Sequence, residues 1–396
     1  MIKRTIGIIF TLIICMGIFS SCLLIDGGAF QLPSANGGSG GGTTINVQGG
    51  PNYDIDISPN SSTNMIAASK ALLSSVSIIT SKSAGSGVIY KLDKEKGDAY
   101  IITNYHVVYD NNNSINSEIN AYLYGMEASE YAIEATYVGG SMNYDIAVLK
   151  VTGSKVLMQS NAAAVKVANS NDVAILDTAI AIGNPEGNGI SATVGCINVD
   201  SENISVGFQV YNRVQYVTLR VMRTDAAVNS GNSGGGLFND KGELIGIVNA
   251  KDADSSTDNI GYAIPSNVAK AIAENILYYC DGETKLNVYR CMLGVEVGIK
   301  ALYTEYDTET GKIYKKETVM LTKVEQSGAV NGILKAGDVI NSITIEGVKH
   351  EVSRTYHIID SMLYARVGSS VVINVTRDGT ATDITIPIVE KMLTAY

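Results

Sequence analysis

The stretch Thr224–Asn239 reads TDAAVNSGNSGGGLFN and sets Ser233 among four glycines. Such a run is either a polar turn or a backbone shaped to present one hydroxyl. A serine hydroxyl becomes a nucleophile only when a neutral base takes its proton and a third group holds that base in one tautomer. The choice therefore depends on what the rest of the chain supplies: a base, an acid that orients it, and a scaffold that joins them.

Composition restricts the base. The 396-residue chain has three histidines, His106, His350 and His357. The last two fall in a C-terminal segment of different pattern, so a histidine base for Ser233 has to be His106, which follows the apolar run in AYIITNYHVV. For the acid, Asp145 in NYDIAVLKV stands where an apolar strand begins and a carboxylate is readily buried beside a neighbouring loop. Asp110, Asp172, Asp177 and Asp200 have weaker contexts. The chain order His106, Asp145, Ser233 is that of chymotrypsin, not of subtilisin or the α/β-hydrolases.

The scaffold reads as short strands divided by turn residues. VSIIT, GSGVIY, AYIIT, IEATYV and IAVLKV form one set. TAIAIG, ISATVGCINV, YVTLRVMR, ELIGIVNA and IGYAI form a second. Two sets of this kind, split near 152–172, predict two β-barrels. Ser61 or Ser62 is placed to cap a short helix over 64–74, and SNVAKAIAENILYYC (266–280) is a helix with Val268, Ile272 and Ile276 on one face. A third unit begins near Arg290. In it VMLTKVE is a strand, AVNGIL a short helix, TYHIIDSMLYARVG a helix ending at Gly368, and the Asp378-Gly379 pair the turn of a hairpin.

The net charge of −10 leaves no basic stripe to neutralise phosphates, which argues against a nucleic-acid partner. Hydrophobic content of 45 % against 17 % charged residues favours folded domains over disorder. Lys3 and Arg4 precede an uncharged apolar stretch to Ile25, an export signature. IFSSC, ending at Cys22, resembles a lipobox, so Cys22 is the expected lipidation site; the alternative is an uncleaved membrane span. Either outcome places the remainder outside the cytoplasm at the membrane surface. The segment 26–62, with GGSGGG at 37–42, reads as a flexible tether. Cys280 and Cys291 are candidates for a bridge, which spacing alone does not establish, and no Cys/His cluster suggests a metal. No cofactor is expected.

TNYHVV, YDIAVLKV, AIGNPEG, TDAAVNSGNSGGGLFN, GELIGIVNA and IGYAIPSN together resemble the successive blocks of the HtrA/Deg family of trypsin-fold serine proteases. The resemblance covers about 76–275, and 290–396 resembles the PDZ domain that follows the protease in that family. It implies two six-stranded antiparallel β-barrels over 63–280, then a mixed α+β PDZ domain over 288–396. It also implies His106 as general base, Asp145 as its orienting acid and Ser233 as nucleophile. The oxyanion hole falls to the N–H groups of Gly231 and Ser233, with Asn232 between them. Ala227 takes the floor of the primary pocket and, being uncharged, suits a small aliphatic P1 residue. Ile247, Val248, Asn249 and Ala250 would offer an edge for the substrate backbone. Met292, Leu293, Gly294 and Val295, with Arg290 near, would form a carboxylate-binding loop for peptide C-termini. Further implications are trimers, unfolded or damaged polypeptides as substrates, and an oxyanion loop that can be misformed at rest. The rival reading is a peptide-binding holdase or scaffold built on the PDZ groove, with a vestigial protease.

Overall fold

The structure, a computed structural model, describes residues 62–110, 114–249, 260–279 and 288–396. The helix α1 (Thr63–Leu72) opens it, capped by the Ser62 hydroxyl accepting from Met65 N–H. The Cys22 lipidation call, the tether at 26–61, Ala250 and Cys280 lie outside these residues. Among the described residues no helix is long and apolar enough to cross a membrane.

The first set of strands comprises β1 (Ser75–Thr80), β2 (Ala84–Asp93), β3 (Asp98–Thr103), β4 (Ile119–Leu123), β5 (Ile133–Glu134), β6 (Thr136–Ser141) and β7 (Ile146–Val151). They form one antiparallel sheet in the order β5-β4-β1-β2-β3-β7-β6. IEATYV, expected as one strand, is broken at Ala135, whose N–H turns to the carbonyl of Ile119. The break lets 133–134 pair with β4 while 136–141 pair with β7, so one bent strand joins both ends of the sheet. Counted that way the set has six strands.

The second set is a closed six-stranded barrel. Its strands are β8 (Thr178–Gly183), β9 (Ser191–Val210), β10 (Arg213–Thr224), β11 (Gly236–Phe238), β12 (Leu244–Asn249) and β13 (Gly261–Pro265). β9 and β10 run far beyond ISATVGCINV and YVTLRVMR, pairing as a ribbon that turns at Tyr211 and Asn212. Val88, Ile102, Ile146 and Val148 of the first set share one buried cluster with Ile180, Ile182, Phe208 and Phe238 of the second. The seam between the sheets is therefore core, and α2 (Tyr105–Val108) lies directly after β3 on that seam. Helix α3 (Ser266–Tyr279) covers it from outside, burying the expected face of Val268, Ile272 and Ile276.

The C-terminal unit carries its own core, centred on Leu321, Ile343, Val371 and Ile373. Its strands β14 (Tyr289–Cys291), β15 (Val295–Tyr306), β16 (Ile313–Val324), β17 (Val339–Ile345), β18 (Val348–Glu351), β19 (Ser370–Arg377), β20 (Thr380–Pro387) and β21 (Leu393–Ala395) surround the helix α4 (Thr355–Met362). Asp378 (φ 50°) and Gly379 (φ 80°) turn the expected hairpin. AVNGIL is not a helix but a series of turns, because Gly332 takes φ 79° and breaks the run after one turn. The hairpin β15–β16 reaches the second barrel, where Lys312 Nζ pairs with Asp177 at 2.6 Å. Arg354 joins Asp200 at 2.9 Å, Arg220 joins Asp360, and the Tyr356 ring lies between the two guanidinium groups at 4.0 and 5.0 Å.

Candidate active site

Asp145 is fully buried and adopts φ 49°, a left-handed conformation that costs a non-glycine residue on the order of 1 kcal/mol. Its surroundings hold it there. The Asn104 side-chain amide donates to its carbonyl at 2.8 Å, and its own N–H reaches the carbonyl of Met142 at 3.2 Å. The carboxylate accepts from three donors: His106 N–H on Oδ1 at 3.0 Å, His106 Nδ1 on Oδ2 at 2.7 Å, and Asn249 Nδ2 on the same oxygen at 2.9 Å. A buried carboxylate needs such donors to offset the loss of water.

That geometry fixes the imidazole. With Oδ2 as acceptor, the proton of the neutral ring sits on Nδ1 and the lone pair on Nε2. The His106 side chain is 16 % exposed, enough for Nε2 to be reached from the seam.

Ser233 enters the same seam from the second barrel and is itself buried. Its carbonyl accepts from Ser86 N–H at 2.8 Å, while Thr103 Oγ1 donates to the Ser86 carbonyl at 2.7 Å. A Cβ on Gly85 would lie 2.6 Å from Val107 Cγ1 and 3.2 Å from the Ser233 carbonyl oxygen. The backbone of Ser233 and the residue after His106 thus face one another across Gly85. Gly234 (φ 84°) makes this approach possible, since a Cβ there would sit 2.2 Å from the Ser86 carbonyl.

Before Ser233 the turn is equally constrained. Gly231 has φ 94°, and a Cβ on it would come 2.1 Å from the Asn184 carbonyl. The Ser86 hydroxyl accepts from Asn184 N–H at 2.8 Å and donates to the Gly231 carbonyl at 2.7 Å. The Ser230 carbonyl accepts from Glu186 N–H at 2.8 Å. A trans peptide sets N–H opposite C=O, so the Gly231 N–H faces away from the 184–186 segment. Asn232 is buried, and its N–H closes the turn on the Asn229 carbonyl at 3.0 Å.

Other sequence candidates fall elsewhere. Ala227 is exposed between β10 and the Ser233 turn, its carbonyl taken by Thr193 Oγ1 at 2.9 Å. Ile247 and Val248 offer no open edge, which corrects their assignment to substrate pairing. Ile247 is matched with Gly236 on one side and Ile264 on the other. Val248 donates to the Gly235 carbonyl at 2.8 Å and accepts from Gly234 N–H at 3.0 Å. The roles of Ser86, Asn104 and the Asn249 side chain escaped the sequence reading. The signal was present only as a polar residue beside each strand end. Among the described residues no cluster of three or more His, Cys, Asp or Glu is placed to hold a metal ion.

Leu293 is buried, Met292 is 43 % exposed, and Gly294 (φ 73°) turns the chain into β15. With Val295, Ile358 and Met362 they line a cavity of about 550 Å³, and Arg290 stands at its margin. Cys291 lies there too, its thiol pushed up to about 11 by burial.

The trypsin-like peptidase domain family matches residues 85–247, which hold His106, Asp145 and Ser233. The chain is 32 % identical over 309 residues to the serine protease Do-like HtrA of Lactococcus lactis subsp. cremoris (strain MG1363), covering 75 % of this chain and 68 % of that one. It is 35 % identical over 264 residues to the periplasmic serine endoprotease DegP of Escherichia coli (strain K12), covering 65 % and 48 % of the two chains. Among solved structures, the HtrA-type protease AlgW with tripeptide matches at a TM-score of 0.51 and 27 % identity, over 85 % of this chain and 98 % of that one. An imidazole tied to a buried carboxylate, a glycine-flanked serine on the same seam and this extent of shared sequence lead to one conclusion: the chain belongs to the HtrA family of serine proteases.

Proposed function

We propose that this protease is an extracytoplasmic endopeptidase that cleaves unfolded or damaged polypeptides through an acyl-enzyme on Ser233. His106 Nε2 takes the Ser233 Oγ proton as the oxygen attacks the scissile carbonyl. Asp145 holds the Nδ1–H and stabilises the imidazolium that forms. The N–H groups of Gly231 and Ser233 receive the negative oxygen of the tetrahedral intermediate. His106 then gives its proton to the leaving amine, and a water activated by the same nitrogen releases the acyl group and regenerates Ser233.

The observation that carries this reading is the 2.7 Å contact between His106 Nδ1 and the buried Asp145 Oδ2. Such a contact would serve little purpose at a vestigial site. Exposed, uncharged Ala227 fits a primary pocket for small aliphatic side chains, and the backbone from Asn249 into Ala250 fits the substrate strand better than Ile247 and Val248 do. The cavity lined by Met292, Leu293, Gly294 and Val295 fits a PDZ groove for apolar peptide C-termini. The N-terminal segment, through lipidated Cys22 or an uncleaved span, anchors the protein at the bacterial cell membrane, where it works as a trimer.

Fluorophosphonate labelling with mapping of the modified residue tests the reading. The label is expected on Ser233, and Ser233→Ala is expected to abolish casein degradation by several orders of magnitude. Labelling at another residue, or casein turnover surviving in Ser233→Ala, refutes it.

A further inference from the structure

We propose that Arg290 is a positioning residue for proteolysis, clamping from the C-terminal unit the turn that carries Asp145. The inference rests on the reading of Asp145 as the acid that orients His106.

The turn 141–145 ends in the left-handed residue Asp145. A strained residue keeps its conformation only where its surroundings over-determine it. On the His106 side that is done by Asn104 and Asn249, but the side chain before Asp145, Tyr144, points to the other side of the turn. There Arg290 NH1 donates to the Tyr144 hydroxyl at 3.3 Å. The same guanidinium donates through NH2 to the Tyr396 hydroxyl and lies over the Tyr396 ring at 4.1 Å. The Tyr144 and Tyr396 rings meet with centroids 6.4 Å apart, and the Ser141 hydroxyl reaches the Tyr396 backbone oxygen at 3.4 Å. Both ends of the turn are thus held by one small cluster.

The cluster is itself fixed to the barrels. Asn275 of α3 accepts from Tyr289 N–H at 2.9 Å and donates to the Tyr289 carbonyl at 2.6 Å. Tyr396 N–H donates to the carbonyl of the fully buried Val288 at 2.7 Å. Arg290 therefore projects from a rigid base and not from a loose linker. Although it stands at the margin of the peptide cavity, its guanidinium is engaged by the two tyrosines. Without it, the turn retains its local bonds but loses its outer support, and the carboxylate can drift from His106. A displacement near 1 Å at a positioning group costs up to about 10²-fold in rate, so a partial loss predicts about tenfold.

The test uses the full chain and a short fluorogenic peptide with a small aliphatic P1 residue, with rates normalised to sites titrated by fluorophosphonate. Arg290→Met, which keeps the stem and removes the donors, is expected to lower kcat about tenfold with KM unchanged, and Arg290→Lys to recover part of it. The downfield NMR signal of the His106 Nδ1 proton should shift or broaden in Arg290→Met. Affinity for a labelled apolar peptide C-terminus should stay as in the parent protein. If Arg290→Met does not fold, Tyr144→Phe, which removes a single hydroxyl, is expected to lower kcat about threefold with the same change in the Nδ1 signal. Unchanged kcat and an unmoved proton signal in the folded variant overturn the proposal, as does a loss confined to peptide affinity. Turnover retained in Asp145→Asn instead removes the reading on which it rests, a result the Arg290 variants cannot mimic.

Discussion

Gly231→Ala is the most informative single change at the site. An added Cβ would stand 2.1 Å from the Asn184 carbonyl and 2.8 Å from Glu186 N, both backbone atoms that no rotamer change can move aside. At φ 94° an alanine also bears a steric cost on the order of 1–2 kcal/mol. The cheapest relief is rotation of the Ser230–Gly231 peptide, which breaks one bond, from Glu186 N–H to the Ser230 carbonyl. That rotation removes the Gly231 N–H from the oxyanion, a loss of about 10²–10³ in kcat, or roughly 2.7–4 kcal/mol. The barrel core contributes nothing to this turn, so the melting temperature should fall by a few degrees at most. Steady-state hydrolysis of a short peptide, with calorimetry on the same sample, reads both quantities. A kcat within threefold of the parent enzyme would show that the Gly231 N–H takes no part in the transition state.

Asp145→Asn should lower turnover by about 10⁴ with the circular dichroism spectrum retained, because an amide at this position stabilises the wrong imidazole tautomer. His357 gives a prediction for pH. Burial first, then the nearby Arg220 and Arg354 charges, push it down to about 4, below its ordinary 6.5. The folded state therefore binds fewer protons than the unfolded chain between those values. Stability is full above pH 6.5 and falls by up to about 3 kcal/mol as the pH drops through 4. Urea midpoints at pH 7 and pH 4.5 should show that fall in the parent protein and a smaller one in His357→Phe; equal falls refute it.

What the sequence made legible was what short-range chemistry dictates. Alternating apolar residues gave most of the strands, the Asp378-Gly379 pair gave its hairpin, and a scarcity of histidines reduced the base to His106. AVNGIL misled because its apolar spacing suits a helix, while Gly332 takes a conformation no helix contains. The length of the β9–β10 ribbon was hidden because its outer half packs against little: Tyr211, Val214 and Tyr216 are exposed, so neither alternation nor a core face marks it. At the site, residues with one role could be named, but Ser86, Asn104 and Asn249 act only through partners 145, 41 and 104 positions away. Nothing local in the chain records such pairings.

Those distant pairings explain why the site lies on a seam rather than within either barrel. The carboxylate of Asp145 belongs to the first sheet, yet one of its three donors, Asn249, belongs to the second. The turn before Ser233 belongs to the second barrel, yet its Gly231 carbonyl is held by Ser86 of the first. Each half of the machinery is thus oriented by the other, and neither sheet alone could hold His106 and Ser233 in register. A relative shift of the barrels would disturb both ends together. It is opposed by the shared apolar cluster, whose Phe208, Phe238, Ile180 and Ile182 are each worth about 1.5–3 kcal/mol on burial. The precision of a few polar contacts at the surface of the seam is therefore set by the packing beneath it.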